Sequence, residues 1–427
     1  MTTLFEHLHA LLLRGAAVST DTRALPMGCI FFALRGERYN ANEFAEQALE
    51  NGAAAVVTER TDLEGRPGFF PVPDSLEALQ QFSAYHRKIL RIPVLAIGGS
   101  NGKTTTKELT GAVLQKRYHT AVTKGNLNNH IGVPLTLLAI TPKHEFAVVE
   151  IGANHLGETA FLCGLVMPDY GIVTNNGKDH LEGFGSLEGV KKANAELYEW
   201  LKTNGGEAFV NADDADLMEA SAGLKRITYG MSEGVNIQGH PTPGSVFSEV
   251  VLGNGLVLRS SLFGQYNFPN ILAAVTIGKC FGVKDEDIAT AITDYRPGLN
   301  RSQVSRVGSN TVVFDCYNAN PSSMKAAIES FVQMKAENPV LILADMLEMG
   351  DHAEHEHRAM LEFIGSTGIS DVILTGPEFK KADLEKRYTT FDTTAETKQW
   401  LEAHPITYAT ILLKGSRGYR LEQLFAG

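Results

Sequence analysis

Cysteine is scarce in this chain. Its four residues among 427, Cys29, Cys163, Cys280 and Cys316, lie far apart and form no Cys-x-x-Cys pair. That spacing excludes a disulfide framework and a short-spaced structural zinc site, and fits a reducing compartment. A basic excess is missing as well: 38 Lys plus Arg against 49 Asp plus Glu leaves a net charge of −11. A general binder of nucleic acid or anionic membrane is thereby excluded, while a local basic pocket for phosphates is not. No run of eighteen apolar residues occurs, so no membrane span or membrane insertion is expected. Glu6 and His7 precede only the short apolar run 11–13, which has neither the basic start nor the length of a signal peptide. Fixed-period repeats and low-complexity tracts are absent too, which sets aside a solenoid. What remains is ordinary globular composition, 44% hydrophobic and 20% charged. At roughly 150 residues per domain the length suggests about three domains, in a cytoplasmic protein expected to be monomeric.

The pattern along the chain divides it at 1–89, 90–297 and 298–427. In the first part, strand-like runs at 29–34 and 54–57 flank an amphipathic stretch at 41–51 whose apolar Phe44, Ala45, Ala48 and Leu49 form a helical stripe. From Pro93 the pattern becomes βα units. The all-apolar run 94–97 is of the kind a buried parallel strand needs, and it enters a glycine turn followed by a helix from near Lys103. Further strands are predicted at 146–150 and 171–174, then a β-rich passage at 227–262 and a helix at 270–280. The break Arg296-Pro-Gly298 marks the second boundary. Apolar runs at 311–314, 340–343, 372–374 and 410–413 then predict a second, smaller parallel sheet. The fold class is α/β in three domains.

The strongest local signal is the sequence Ile-Gly-Gly-Ser-Asn-Gly-Lys-Thr-Thr-Thr at 97–106. A strand, a glycine turn and a helix N-terminus aim several backbone N–H groups at one point, and the helix dipole adds about half a positive charge there. Gly99 and Gly102 allow close approach to a phosphate. Lys103 supplies a cation, and the Thr104 or Thr105 hydroxyl can ligate magnesium. The match is incomplete, because Ile97 stands where GxxxxGK[ST] has its first glycine. Ligands of open α/β sheets bind past the carboxyl ends of strands, so Glu150 is a candidate magnesium ligand rather than a strand-end glutamate in solvent. His180, after the next strand, is a candidate of the same kind, set against a purely structural histidine.

These residues resemble the Mur ligases of peptidoglycan synthesis, and the resemblance covers nearly the whole chain. The segment 99–105 is similar to their ATP loop. Thr20-Asp-Thr-Arg23, followed by Phe-Phe-Ala-Leu-Arg-Gly-Glu at 31–37, resembles their N-terminal uridine-nucleotide-binding segment. The stretches 125–135, 317–321, 345–350 and 414–418 resemble the D-alanyl-D-alanine-adding branch. The resemblance implies an N-terminal uridine-nucleotide-binding domain, a central P-loop ATPase-like domain and a C-terminal Rossmann-like domain. It implies ATP and Mg2+ as cofactors, and UDP-N-acetylmuramoyl-tripeptide and D-alanyl-D-alanine as substrates, joined through an acyl phosphate. Two anions must meet in that reaction, so positive charge is the main requirement.

Residue by residue, the resemblance implies that Lys103, Glu150, His180 and Arg301 are catalytic, with Thr104, Glu150 and His180 as magnesium ligands. It places Gly99, Ser100, Asn101, Gly102, Lys103, Thr104, Thr105, Asn267, Asn270, Arg301 and Asp315 around ATP. Asn270 can also be read as the cap of the following helix. Thr22, Arg23, Asn126, Asn128 and Asn129, together with Asn318, Asn320, Lys414, Ser416 and Arg417, are implied to contact the substrates. Hinge closure is expected to carry Arg301 and Asp315 to the preceding domain.

Two departures stand out. The family's carbamylated lysine, which serves as a carboxylate near a second magnesium, is replaced by Asn194, a neutral amide that cannot be carbamylated. Asp179 is a substitute by adjacency to His180, against the plainer expectation of a solvated loop residue. The second departure is at 39–44, which lacks the Gly-His often found before Phe44. The triplet His352, His355 and His357 looks like metal spacing but is read as a solvated helix start. Two alternatives are weighed: a ligase adding the third peptide residue, disfavoured because 317–322 lacks an Asp-Asn-Pro-Arg stretch, and a nucleotide-binding scaffold without catalysis, motivated by Asn194.

Overall fold

The computed structural model describes residues 2–37, 39–298 and 300–425. They form three sheets, each with its own core. The first sheet is parallel and four-stranded, in the order Val18–Ser19, Ile30–Phe32, Ala55–Thr58 and Phe69–Pro71. The helix Ser75–Ile89 closes this domain, starting at Asp74, whose carboxylate accepts the Glu77 N–H as an N-cap. Its apolar face, Ala78, Leu79 and Phe82, packs with Phe5, Leu8, Ile30 and Phe32, and the same cluster takes in Leu138 of the next domain.

In the central sheet the parallel strands run in the order Thr120–Val122, Phe146–Glu150, Val94–Gly98, Tyr170–Val173, Glu207–Asn211, Lys225–Gly230 and Ile237–Pro241. The β-rich passage adds Phe247–Leu252 and Val257–Phe263, each paired antiparallel to the strand before it, so this sheet is mixed rather than wholly parallel. Val94–Gly98 is buried at every position, which explains its unbroken apolar run. It lies between Phe146–Glu150 and Tyr170–Val173, both of which follow it in the chain. That arrangement is a topological switch point, where a crevice opens past the strand ends.

The third sheet runs Gln303–Val307, Asn310–Phe314, Thr410–Lys414, Pro339–Ala344, Asp371–Thr375 and Thr389–Phe391. All four predicted strands are present. The first and last strands carry too little apolar sequence to stand out, and Gln303–Val307 is antiparallel. Among the described residues no helix is long and apolar enough to cross a membrane.

Candidate active site

The loop between Gly98 and the helix Lys103–Leu114 has glycine where only glycine fits. Gly99 has φ 112° and Gly102 φ 81°. A Cβ on Gly99 would strike the Thr174 backbone N–H, and one on Gly102 would strike the Asn270 amide. The Lys103 ammonium is folded back on its own loop, donating to the Gly99 carbonyl at 2.5 Å and the Ser100 carbonyl at 3.0 Å. The loop is tied to the neighbouring strand end by the Ser100 N–H on the Asn175 carbonyl and the Asn101 N–H on Asn175 Oδ1.

Behind the loop, Glu150 is buried at 1% exposure, which rules out the solvated reading. Its Oε1 accepts from Thr104 Oγ1 at 3.1 Å and Asn128 Nδ2 at 2.7 Å. Its Oε2 is buried with no hydrogen-bond donor. The nearest cation is Lys107, whose Nζ lies 3.6 Å from Oε2 and donates to the Gly125 carbonyl at 2.9 Å. Sequence reasoning did not single out Lys107. The available signal was its spacing, one turn beyond Lys103 on the same helix face.

The opposite wall comes from the third domain. Arg301 stacks on Tyr317, its guanidinium carbon 3.7 Å from the ring centroid, while its Nε is buried and has no acceptor. Asp315 Oδ1 accepts the Ser302 N–H at 2.9 Å, and Oδ2 pairs with Lys414 at 2.8 Å. Asn320 caps the helix Pro321–Gln333, and its Nδ2 also donates to Asn101 Oδ1 of the phosphate loop at 2.8 Å. Between these walls lies a cleft of about 560 Å³.

The loop after Tyr170–Val173 forms the third side. His180 has a left-handed backbone, φ 46°, and its Nδ1 meets Glu348 Oε2 of the third domain at 2.6 Å. The His180 imidazole holds the Glu348 carboxyl below the usual carboxylate range. Nearby, Lys178 pairs with Glu356 at 2.6 Å.

Two family profiles match the chain: the Mur ligase middle domain over residues 97–278, and the glutamate ligase domain of Mur ligases over 300–417. A protein of Escherichia coli K12 named UDP-N-acetylmuramoyl-tripeptide--D-alanyl-D-alanine ligase is 34% identical, with 96% of this chain and 92% of that protein covered. This chain is a Mur ligase. A Bacillus subtilis protein of the same name is 33% identical, covering 95% of this Mur ligase and 92% of the relative. The crystal structure of MurF from Acinetobacter baumannii superposes with a TM-score of 0.85 at 30% identity, covering 98% and 97% of the two chains. MurF from Thermotoga maritima in complex with ADP gives 0.84 at 25% identity, covering 97% and 96%.

In this Mur ligase the cleft gathers Ser100 to Thr105, Asn126, Asn128, Asn129, Glu150, His180, Asn267, Asn270, Arg301, Asp315, Asn318, Asn320 and Lys414. Gly99 contributes its carbonyl to Lys103. Thr22 and Arg23 are not brought there: Thr22 bonds Tyr39 at 2.6 Å and Arg23 is held by Asp21, both in the first domain. Ser416 and Arg417 also stay outside. The Ser416 hydroxyl accepts the Leu347 N–H and donates to the Ala319 carbonyl, and Arg417 pairs with Glu422. Asn129 Oδ1 accepts the Ile131 and Gly132 N–H groups, so it shapes the loop.

Three sequence readings of this Mur ligase are corrected. Asn270 is not a cap: the helix begins at Phe268, and the Asn270 amide instead joins Thr106 and Asn267, bracing Gly102. His357 is not part of a solvated helix start; it is fully buried, accepts the Met346 N–H at its Nε2, and packs edge-on to Phe379. Asp179 is not a solvated loop residue, being only 6% exposed. Glu348 and Tyr317 lie in the stretches 345–350 and 317–321 but have no site role in the sequence reading, because Glu348 finds His180 only through packing of the second and third domains and Tyr317 acts as a ring under Arg301.

Proposed function

We propose that this Mur ligase joins D-alanyl-D-alanine to the terminal carboxylate of UDP-N-acetylmuramoyl-tripeptide at the expense of ATP, releasing ADP and phosphate. The observation that carries this reading is the convergence on one cleft of a phosphate loop, a buried carboxylate with an unpartnered oxygen and a half-buried arginine whose buried Nε–H has no acceptor. The tripeptide carboxylate oxygen attacks the γ-phosphorus and ADP leaves. The dipeptide amine then attacks the acyl carbon, and phosphate departs as the amine proton is lost. Lys103 exchanges its loop carbonyls for phosphate oxygens. Arg301 satisfies its unpartnered Nε on the transferred phosphoryl group, where a fixed charge does most in a cleft screened from water. Thr104 Oγ1 and Glu150 form an oxygen pair that fits magnesium, as the donor-less Oε2 attests, and the ion would neutralise phosphate charge there.

Asn126 and Asn128 are assigned to the tripeptide end, and Asn318, Asn320 and Lys414 to the dipeptide. Thr22 and Arg23 are assigned to the uridine nucleotide in domain 1–89, with ATP in 90–297 and the dipeptide in 298–427. The same reading makes the protein a cytoplasmic monomer. The test is phosphate release from ATP and Mg2+ with the UDP-muramoyl-tripeptide, with and without D-alanyl-D-alanine. Release that requires the dipeptide, with a product heavier by that dipeptide less water, is expected. ATP binding without release would sink the reading in favour of a scaffold or a different acceptor.

A further inference from the structure

We infer that Asp179 and His180 together ligate a second divalent cation in this cleft, Asp179 supplying the anionic oxygen that Asn194 cannot. The inference rests on the ligase reading. Asp179 is 6% exposed, lines the cleft, and its Oδ1 is buried without a hydrogen-bond donor. A buried carboxylate oxygen with no donor carries an uncompensated desolvation cost that a bound cation would offset. No side chain among the described residues supplies one, since the adjacent Lys178 is committed to Glu356.

His180, the next residue, has its Nδ1 engaged by Glu348 at 2.6 Å, which leaves Nε2 as the ring nitrogen open to a ligand. A carboxylate behind one imidazole nitrogen is the usual support for a metal on the other. Asn194 faces elsewhere. Its Nδ2 donates to Asn176 Oδ1 at 2.8 Å, bracing the loop that carries Asp179 three residues on. Lys191, three residues before Asn194 on that helix, is paired with Glu188 and Asp216, and Lys192 is exposed. The described residues hold no group of three acidic, His or Cys side chains suited to a metal. Two protein ligands, with water and phosphate oxygens completing the shell, is what magnesium ordinarily accepts.

The probe is Mn2+, titrated by electron paramagnetic resonance into the protein with a non-hydrolysable ATP analogue and the tripeptide nucleotide. Two bound ions per chain are expected. Asp179→Asn should weaken one of them by about 10- to 100-fold, leave the other and the analogue affinity unchanged, and raise the Mg2+ concentration for half-maximal turnover. Asp179→Glu should recover part of the loss. A measurement on the unsubstituted chain guards against misfolding of the variant: aspartate labelled with 13C at Cγ should show hyperfine coupling to one Mn2+. Asp315, the other aspartate in the cleft, is committed to Lys414 and Ser302. One bound ion in the unsubstituted chain, unchanged affinities in Asp179→Asn, or no 13C coupling overturns the inference. Failure of the ligase reading looks different, as the unsubstituted chain would then release no phosphate at all.

Discussion

The two junctions between domains are built from different chemistry. At the first, Arg87 from the helix Ser75–Ile89 is buried and donates to the carbonyls of Val166 at 2.7 Å and Met167 at 2.7 Å, and to Asp169 at 3.1 Å. Beside it His9 and His86 share a hydrogen bond, and His86 Nε2 meets the Ile140 carbonyl at 2.9 Å, over an apolar cluster that includes Leu138. The second junction has an apolar part as well, where Leu181, Phe184 and Val190 meet Met346 and Met349. Its polar ties include Asn101–Asn320, Lys178–Glu356 and His180–Glu348, each with at least one partner open to water, and one buried pair, Asn267 Nδ2 donating to Ser302 Oγ at 3.0 Å. Ties that water can replace cost little to break, whereas orphaning buried carbonyls is expensive. The first junction is therefore expected to hold while the second opens for substrates.

The largest expected effect lies inside the cleft. Lys103→Met should lower dipeptide-dependent phosphate release by about 100-fold or more, with circular dichroism and melting unchanged. Equal activity would mean the loop lysine never meets the phosphates. Next, Arg87→Met should destabilise the chain by about 2–4 kcal/mol while the folded fraction keeps its KM values. Glu356→Gln, whose Lys178 partner is 42% exposed, should cost below about 1 kcal/mol yet change KM. Reversal of that order in chemical denaturation would break the contrast.

Small-angle scattering sharpens it further: the radius of gyration should fall when ATP analogue and tripeptide nucleotide bind, and an unchanged value makes both junctions rigid. Smaller still is a thiol effect. Burial pushes Cys163, on the first-junction side, and Cys316, beside the cleft, up to about 12, while Cys280 is exposed. Iodoacetamide at mildly alkaline pH should alkylate Cys280 first, and then Cys316 ahead of Cys163 if the second junction breathes. The smallest effect is outside both junctions. The Arg23 guanidinium holds the Asp21 carboxyl down to about 2 from 3.8. Their pairing is present above 3.8 and lost as pH falls through about 2, which an NMR titration of the Asp21 carboxyl carbon checks, with Arg23→Ala moving it upward.

Local sequence announced the phosphate loop because glycine at 99 and 102, Lys103 and the apolar strand before them act within ten residues. The strand Phe146–Glu150 was legible for the same reason, and its last residue lines the cleft. Less legible were the edge strands Thr120–Val122 and Thr389–Phe391, too short and too polar to show a period. Asn270 misled because a cap and a helical brace carry the same amide. Asp179 misled because polarity in a loop reads as solvent when the covering domain is not in view.

What the sequence determined by itself was most of the βα units, the α/β class in three domains and the glycine turn between strand and helix, since these follow from periodicity, turn chemistry and short motifs. Only the tertiary structure decided which side chains meet. Asn101 with Asn320, His180 with Glu348 and Glu150 with Lys107 are matched by packing of separate elements. The unpartnered oxygens on Glu150 and Asp179 exist because that packing removes water without bringing a donor within hydrogen-bond distance.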